Sequence, residues 1–182
     1  MITPNEFISK WKLIWEEDLI KLSAESLCDI DIDEDAKRFL IEAGLPDSAA
    51  PELNFVEGLP SICEQYGLPE EYGNYRYMGF TGWGDPVCLS LNNGFIVHLD
   101  HEEDFEYETF INSSIPQLAE SLLAYAQFIK ETQKENGEDA FFDNNIPDRL
   151  KTWIAEEFER IDPRILEGGF WLTELENLDE EE

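Results

Sequence analysis

Basic residues are scarce in this chain of 182 residues. Twelve lysines and arginines stand against 42 aspartates and glutamates, which gives a formal net charge of −30. Proteins that bind nucleic acid directly neutralise phosphates with basic stripes, and proteins that bind anionic membrane surfaces use clusters of lysine and arginine. The sequence carries neither feature. We therefore expect no direct contact with nucleic acid and no membrane association.

Cysteine is also rare. The three cysteines, Cys28, Cys63 and Cys88, are odd in number and widely spaced, which excludes a disulfide framework and a zinc-knuckle spacing. No apolar run approaches the length of a membrane span, and the first residues lack the basic lead and apolar core of a signal peptide. These features predict a protein of the reducing cytoplasm.

Apolar and aromatic residues are plentiful despite the charge. They make up 42% and 13% of the chain. High net charge combined with low hydrophobicity is typical of disorder, but this apolar content is enough to bury a core. Because no linker or repeat divides the chain, we predict one folded domain over residues 1–182.

Two helices are predicted near the amino terminus from their capping residues. Thr3 followed by Pro4 and Glu6 is typical of a helix start. A second helix is expected from near Asp33 to Gly44, because aspartate favours the cap position and glycine favours the end of a helix.

Short aromatic and β-branched runs, separated by glycine, proline and asparagine, predict an antiparallel sheet over residues 53–111. Within it, a three-residue loop of residues 92–94 would pair Leu89 with Val97 and place Cys88 across from His98. This register collects apolar side chains of both strands on one face. We therefore favour it, with Gly94 in a left-handed conformation.

Residues 105–111 alternate between apolar and polar, which predicts a further strand with Glu106 and Glu108 on its wet face. Ser114 predicts the start of a long helix that reaches about Thr132.

A helical extension is expected from about residue 136, followed by a solvated acidic tail over residues 174–182. The predicted fold class is α+β, in which a twisted antiparallel sheet is flanked by N-terminal and C-terminal helices.

Two patterns bear on chemistry. In the predicted register Cys88 faces His98, and a thiol beside a histidine can act as a nucleophile. His98 and His101 lie among carboxylates, as in some metal sites, but strand alternation sends them to opposite faces unless the strand ends between them. No phosphate-binding loop or nucleophile motif occurs. We predict no catalytic residue, no metal site and no cofactor.

Three segments follow one another in a recognisable order. They are a helix stop at residues 39–46, a glycine hairpin at residues 87–100 and a helix cap at residues 110–115. This order resembles the SUKH superfamily, particularly its bacterial immunity-protein branch. The resemblance implies a non-catalytic α+β binding domain, similar to antidotes encoded beside toxins, many of them nucleases. Other relatives are scaffolds, including fungal cell-wall-synthesis regulators, so the fold alone does not dictate the partner.

Acidic residues cluster along the chain, and one cluster adjoins the predicted strand at residues 105–111. A toxin that acts on nucleic acid presents a basic cleft, which a complementary acidic surface can occlude. We therefore predict an immunity protein that binds a cognate toxin with a basic surface. The predicted partner-binding residues are Asp100, Glu102, Glu103, Asp104, Glu106 and Glu108. The aromatic residues Trp83 and Tyr77 are expected in the core rather than as exposed anchors.

Two other functions remain open from the sequence. One is a regulatory protein-protein interaction scaffold of the same fold, and the other is an enzyme or cofactor-binding domain that uses the face of Cys88 and His98. Any single acidic cluster is also explained by a solvated face that promotes solubility. The sequence leaves the oligomeric state open between a monomer and a weak dimer.

Overall fold

The computed structural model of the protein describes residues 1–15 and 17–178. Within these residues the chain is mixed α+β, as predicted. The helices are α1 (Pro4–Ile14), α2 (Glu34–Glu42), α3 (Ile62–Tyr66), α4 (Ile115–Asn136), α5 (Asp148–Ile161) and α6 (Phe170–Asn177). The strands are β1 (Leu19–Ile20), β2 (Leu45–Pro46), β3 (Ser48–Ala49), β4 (Leu53–Phe55), β5 (Tyr75–Thr81), β6 (Pro86–Ser90), β7 (Ile96–Leu99) and β8 (Glu108–Asn112). Short 3-10 helices lie at Glu70–Tyr72 and Pro163–Glu167.

Strands β3 to β8 form one antiparallel sheet in which spatial order follows sequence order. Each strand therefore pairs with its neighbour in the chain, and β8 lies at one edge. Strands β1 and β2 pair with each other in a separate short ribbon. The sequence prediction of an antiparallel sheet is confirmed, whereas the short helix α3 between β4 and β5 was not predicted.

The predicted helix starts are confirmed. The Thr3 hydroxyl accepts a hydrogen bond from the Glu6 backbone N–H, and the Glu6 carboxylate accepts one from the Thr3 backbone N–H, which forms a capping box. Asp33 caps α2 through the backbone N–H of Ala36 at 2.8 Å. That helix ends before Gly44, whose φ of +76° is a left-handed conformation that glycine adopts without a steric penalty.

The predicted register of the hairpin between β6 and β7 is wrong. Leu89 pairs with Ile96 rather than with Val97, so each side chain of β7 faces the side opposite to the one expected. The loop is longer by one residue, because the Ser90 backbone N–H donates to the carbonyl of Phe95 at 2.9 Å. Gly94 does adopt the predicted left-handed conformation, with φ of +77°.

Both faces of the sheet are covered, which explains the wrong register. Val87, Leu89 and Ile96 join the larger core beneath the helices, and we call their side the helix face. Cys88 and Val97 join a smaller core on the other side, the opposite face, together with Ile62 of α3. Strand β6 is buried on both faces, so its apolar residues do not all belong on one side of the sheet. A register chosen to bring the apolar residues of both strands to one side is therefore wrong.

The C-terminal helices pack into the main core. Trp171 of α6 is buried, and its indole N–H donates to the Asn112 side-chain oxygen of β8 at 2.9 Å. Asn112 in turn donates to the Ser121 hydroxyl of α4 at 3.0 Å. At the end of α5, the buried carboxylate of Asp162 accepts the Ser113 backbone N–H at 2.7 Å. These contacts anchor α5 and α6 to the sheet.

The structure describes only part of the predicted acidic tail over residues 174–182. The predicted tail does not begin at residue 174, because α6 continues through Asn177 and Leu178 is buried. The rest of the predicted tail, residues 179–182, lies outside the described residues, as does Glu16. Helix α4 also extends past its predicted end at Thr132 to Asn136.

Candidate partner-binding surface

The acidic segment between β7 and β8 is a turn that joins the end of one strand to the start of the next. The Asp100 carboxylate accepts the backbone N–H groups of Glu102 and Glu103 at 2.9 and 3.2 Å. This contact satisfies backbone donors at the start of the turn and orders it. The side chains of Glu102, Glu103 and Asp104 are exposed. The turn therefore presents three neighbouring carboxylates to solvent.

The strand predicted over residues 105–111 begins only at Glu108. Asp104 and Phe105 have left-handed φ angles of 54° and 64°, which end the extended conformation before β8. The Phe105 ring lies 5.5 Å from the Tyr66 ring in an edge contact and packs against the core of the opposite face. Glu106 therefore belongs to the turn rather than to a strand shared with Glu108. Both residues are nevertheless exposed.

Glu108 differs from the other acids of this segment because its carboxylate binds a side chain of a distant strand. Its carboxylate accepts a hydrogen bond of 2.6 Å from the Tyr75 hydroxyl of β5. Burial, together with this carboxylate, raises the pKa of Tyr75 well above its usual range. Glu108 thus supports the opposite face as well as adding charge to the edge.

The turn between β5 and β6 places Trp83 in solvent, where 83% of its side chain is exposed. The expectation that Trp83 lies in the core is wrong, because the glycines on each side of it form a tight turn beyond the sheet. Tyr77 is buried, as expected. An exposed tryptophan is unusual on a monomer surface, and tryptophan is enriched in the hot spots of protein interfaces.

Asp85 joins the turn of Trp83 to the acidic turn. One oxygen of its carboxylate accepts the backbone N–H of His101 at 3.0 Å and contacts the His101 ring Nδ1 at 2.7 Å. Its other oxygen lies 3.6 Å from the Nδ1 of His98. The two histidines therefore converge on one carboxylate. The strand ends at Leu99, between the histidines, which is the exception that sequence analysis had left open.

The two histidines experience different environments. Burial lowers the pKa of His98, against the attraction of the Asp85 and Asp100 carboxylates. The hydrogen bond to Asp85 raises the pKa of the exposed His101. Within the described residues, no group of three or more histidine, cysteine, aspartate or glutamate side chains is arranged to hold a metal ion.

Tyr107 flanks the acidic turn on its other side, with 62% of its side chain exposed. Its carbonyl accepts the backbone N–H of Asp100 at 3.0 Å, so it lies beside the start of the turn. We define the acidic-aromatic surface as the six predicted acidic residues together with the two exposed rings. Its members are Trp83, Asp100, Glu102, Glu103, Asp104, Glu106, Tyr107 and Glu108.

The pair of Cys88 and His98 does not form. Cys88 pairs with Val97 and lies on the opposite face, whereas His98 pairs with Val87 and lies on the helix face. Cys88 is fully buried, and burial raises the pKa of its thiol, which disfavours the reactive thiolate. The alternative of an enzyme that uses this pair therefore loses its geometric basis.

Sequence analysis missed the two exposed rings of this surface and Asp85, the residue that joins its turns. The predicted register and the observed one both bring Asp85 close to His101, just beyond the end of β7, so the signal was present in the sequence. The feature of the sequence that indicated an exposed Trp83 was the pair of glycines on either side of it.

The family model described as SUKH-4 immunity protein matches residues 13–177. No curated protein and no solved structure matches the chain. No helix in the described part of the chain is long and apolar enough to cross a membrane.

Proposed function

The chain belongs to the SUKH-4 immunity protein family, and from this membership we propose that it binds a cognate toxin domain and blocks the toxin by covering its active cleft. Inhibition by occlusion requires no catalysis by the immunity protein itself. Complementary shape and charge are then the properties that decide binding.

The proposed contact is the acidic-aromatic surface. Three of its carboxylates, those of Glu102, Glu103 and Asp104, are consecutive in the chain and exposed, which favours a combined field on the scale of the Debye length of about 8 Å at physiological salt. The single observation that carries this choice is the exposure of Trp83 beside them, held there by Asp85 and His101. A large apolar side chain surrounded by charge suits an interface centre with a polar rim.

The proposed toxin has a basic surface, and a nuclease with a basic cleft is the class that fits best. The net charge of −30 would speed the encounter with such a partner and make association sensitive to salt. Within the acidic-aromatic surface, the turn supplies local charge and Trp83 supplies apolar contact area.

The experiment begins with capture of the toxin-domain protein from the native host by the tagged chain, at low and moderate salt. Affinity for the captured toxin is then measured for a variant in which Glu102, Glu103 and Asp104 are replaced by lysine. We expect a loss of at least about tenfold and a weaker dependence on salt. Trp83→Ala should cost at least about tenfold as well, with its salt dependence unchanged.

A matched control separates local contact from overall charge. Three exposed acids remote in sequence are replaced by lysine, which gives the same change in net charge; they are Glu25, Asp29 and Asp31. The control should retain most of the affinity. Equal losses in both triple variants would show that net charge, and not this surface, governs binding. Failure to capture any toxin domain would contradict the proposed function itself.

A further inference from the structure

A second surface lies on the helical side of the molecule, between the end of α1 and helices α4 and α5. It is a groove of about 890 Å³ and shares no residue with the acidic-aromatic surface. Neither the family match nor the proposed toxin contact accounts for it.

The floor of the groove is apolar. Leu13 is 87% exposed although it lies in a helix whose other large apolar residues pack inward. Ile14 and Trp153 are half-buried beside it, and Leu150 is buried at the base. Leaving so much of a leucine side chain in water is unfavourable, because apolar surface gains free energy on burial. The floor is therefore suited to contact with apolar side chains.

The rim of the groove is basic, which is unusual in this chain. Lys130, Lys134 and Arg149 line it together with a single acid, Glu131, and the three cations are among only twelve basic residues in the sequence. The Lys130 ammonium lies 3.9 Å from the ring centroid of Trp15. Lys134 forms an ion pair with Glu131 at 3.1 Å, and Arg149 forms one with Glu135.

These ion pairs leave the cations accessible. The side chains of Lys134 and Arg149 are 75% and 65% exposed, so each retains donors for a further carboxylate. Exposed ion pairs of this kind contribute little to stability, so rearranging them costs little.

From this combination we propose that the groove binds an acidic amphipathic helix of a partner protein. Leucine-like side chains on one face of that helix would cover Leu13 and Trp153, and carboxylates beside them would meet the three cations. A fourth helix packed against α1, α4 and α5 follows the helix-in-groove mode of recognition. The groove is open to solvent, whereas small-molecule sites bury most of their ligand.

A second copy of the chain is the less suitable occupant. In a two-fold dimer the same patch meets itself, so the three cations of one groove would face those of the other. The rest of the molecule is acidic, but at physiological salt its repulsion is screened beyond about 8 Å. A local basic rim can therefore attract carboxylates despite the net charge.

The test uses a labelled synthetic peptide of about 18 residues, or five helical turns, with leucines on one face and glutamates elsewhere. A control peptide carries lysine in place of each glutamate. Binding to the full chain is measured by fluorescence anisotropy at physiological salt. We expect the glutamate peptide to bind and the lysine peptide to bind at least about tenfold more weakly.

Two variants of the protein sharpen the test. Leu13→Ser should lower the affinity for the glutamate peptide about tenfold, since it removes an exposed apolar contact without disturbing the core. Lys134→Glu combined with Arg149→Glu should reverse the preference toward the lysine peptide. Trp83→Ala, on the other surface, should leave peptide binding unchanged, and Leu13→Ser should leave toxin binding unchanged.

The proposal is wrong if the glutamate peptide does not bind, if both peptides bind equally, or if the double charge reversal leaves the preference as it was. Concentration-dependent dimerisation that Leu13→Ser abolishes would identify a second copy as the occupant and would also overturn it. The toxin experiment tests a different surface of the protein. Failure of the peptide experiment therefore does not contradict the proposed function.

Discussion

At the scale of single residues, Asp85 connects two turns that are 16 positions apart in the chain. Its carboxylate holds His101 directly and lies within 3.6 Å of His98. Because Asp85 is largely buried, its charge acts on both rings through a medium less polar than water. This one residue therefore fixes the position of the turn that carries the exposed Trp83 relative to the acidic turn.

The two histidines of the chain should titrate on opposite sides of the ordinary histidine value. Proton NMR of the ring protons as a function of pH is expected to give a pKa above 6.5 for His101 and below 6.5 for His98. His101 therefore stabilises the fold at low pH, and that contribution is lost as pH rises through its raised pKa. His98 acts in the other direction, since stability falls as pH drops below 6.5.

Asp85→Asn provides the control for this titration. The substitution removes the carboxylate that favours the protonated form of both rings, so both pKa values should fall. If His101 keeps its raised pKa in that variant, then Asp85 does not hold the turn and the joining contact is wrong.

At the scale of elements, a buried polar network determines how α6 attaches to the sheet. Asn112 of β8 accepts from Trp171 of α6 and donates to Ser121 of α4, and all three side chains are buried. Gly169, just before α6, lies so close to the Phe110 carbonyl that a Cβ would come within 2.3 Å of its oxygen. The outer edge of β8 is thus covered at its middle, which protects it from pairing with another strand.

Asn112→Ala should destabilise the protein by about 2 to 4 kcal/mol, because it leaves a buried indole N–H and a buried hydroxyl without their partner. Urea unfolding followed by circular dichroism measures the change. Asn92→Ala, in an exposed loop, is the control and should change stability by less than about 0.5 kcal/mol.

A double-mutant cycle with Trp171→Phe isolates the contact itself. If the network is formed as described, the loss in the double variant is smaller than the sum of the two single losses. Strictly additive losses would show that Asn112 and Trp171 do not interact.

At the scale of the whole molecule, the dominant property is self-repulsion. The accessible surface is 9886 Å² and the net charge is −30, or about 330 Å² for each net negative charge. If the charges were evenly spaced at this density, their mutual repulsion would be largely screened at physiological salt. The clusters of acidic residues therefore produce most of the electrostatic field. Repulsion among them opposes the compact state.

Salt should therefore stabilise the fold. We expect the urea midpoint of unfolding to rise as sodium chloride increases from about 10 mM to about 200 mM, because screening weakens repulsion within the folded chain. The triple lysine variant at residues 102–104 should show a smaller rise. A midpoint that falls with added salt would mean that the ion pairs outweigh the repulsion.

The sequence by itself determined the features whose physics is local. The starts of α1, α2 and α4 follow from the side chains of Thr3, Asp33 and Ser114, each of which binds a backbone N–H three positions away. The position of the hairpin turn follows from Gly94. The α+β class, the acidic turn and the family resemblance were likewise readable from short segments.

Tertiary structure decided whatever depends on residues distant in the chain. The register of β6 against β7 was predicted wrongly because Ile62 of α3 covers the opposite face. No residue pattern within the hairpin indicates that this face is covered. Burial of Cys88 follows from the same cover on the opposite face, and exposure of Trp83 follows from the turn beyond the sheet. Partners such as Asp85 and His101 come into contact only once the strands are aligned. A side-chain contact spans a few ångströms in space, and the two residues that form it have no fixed separation in the sequence.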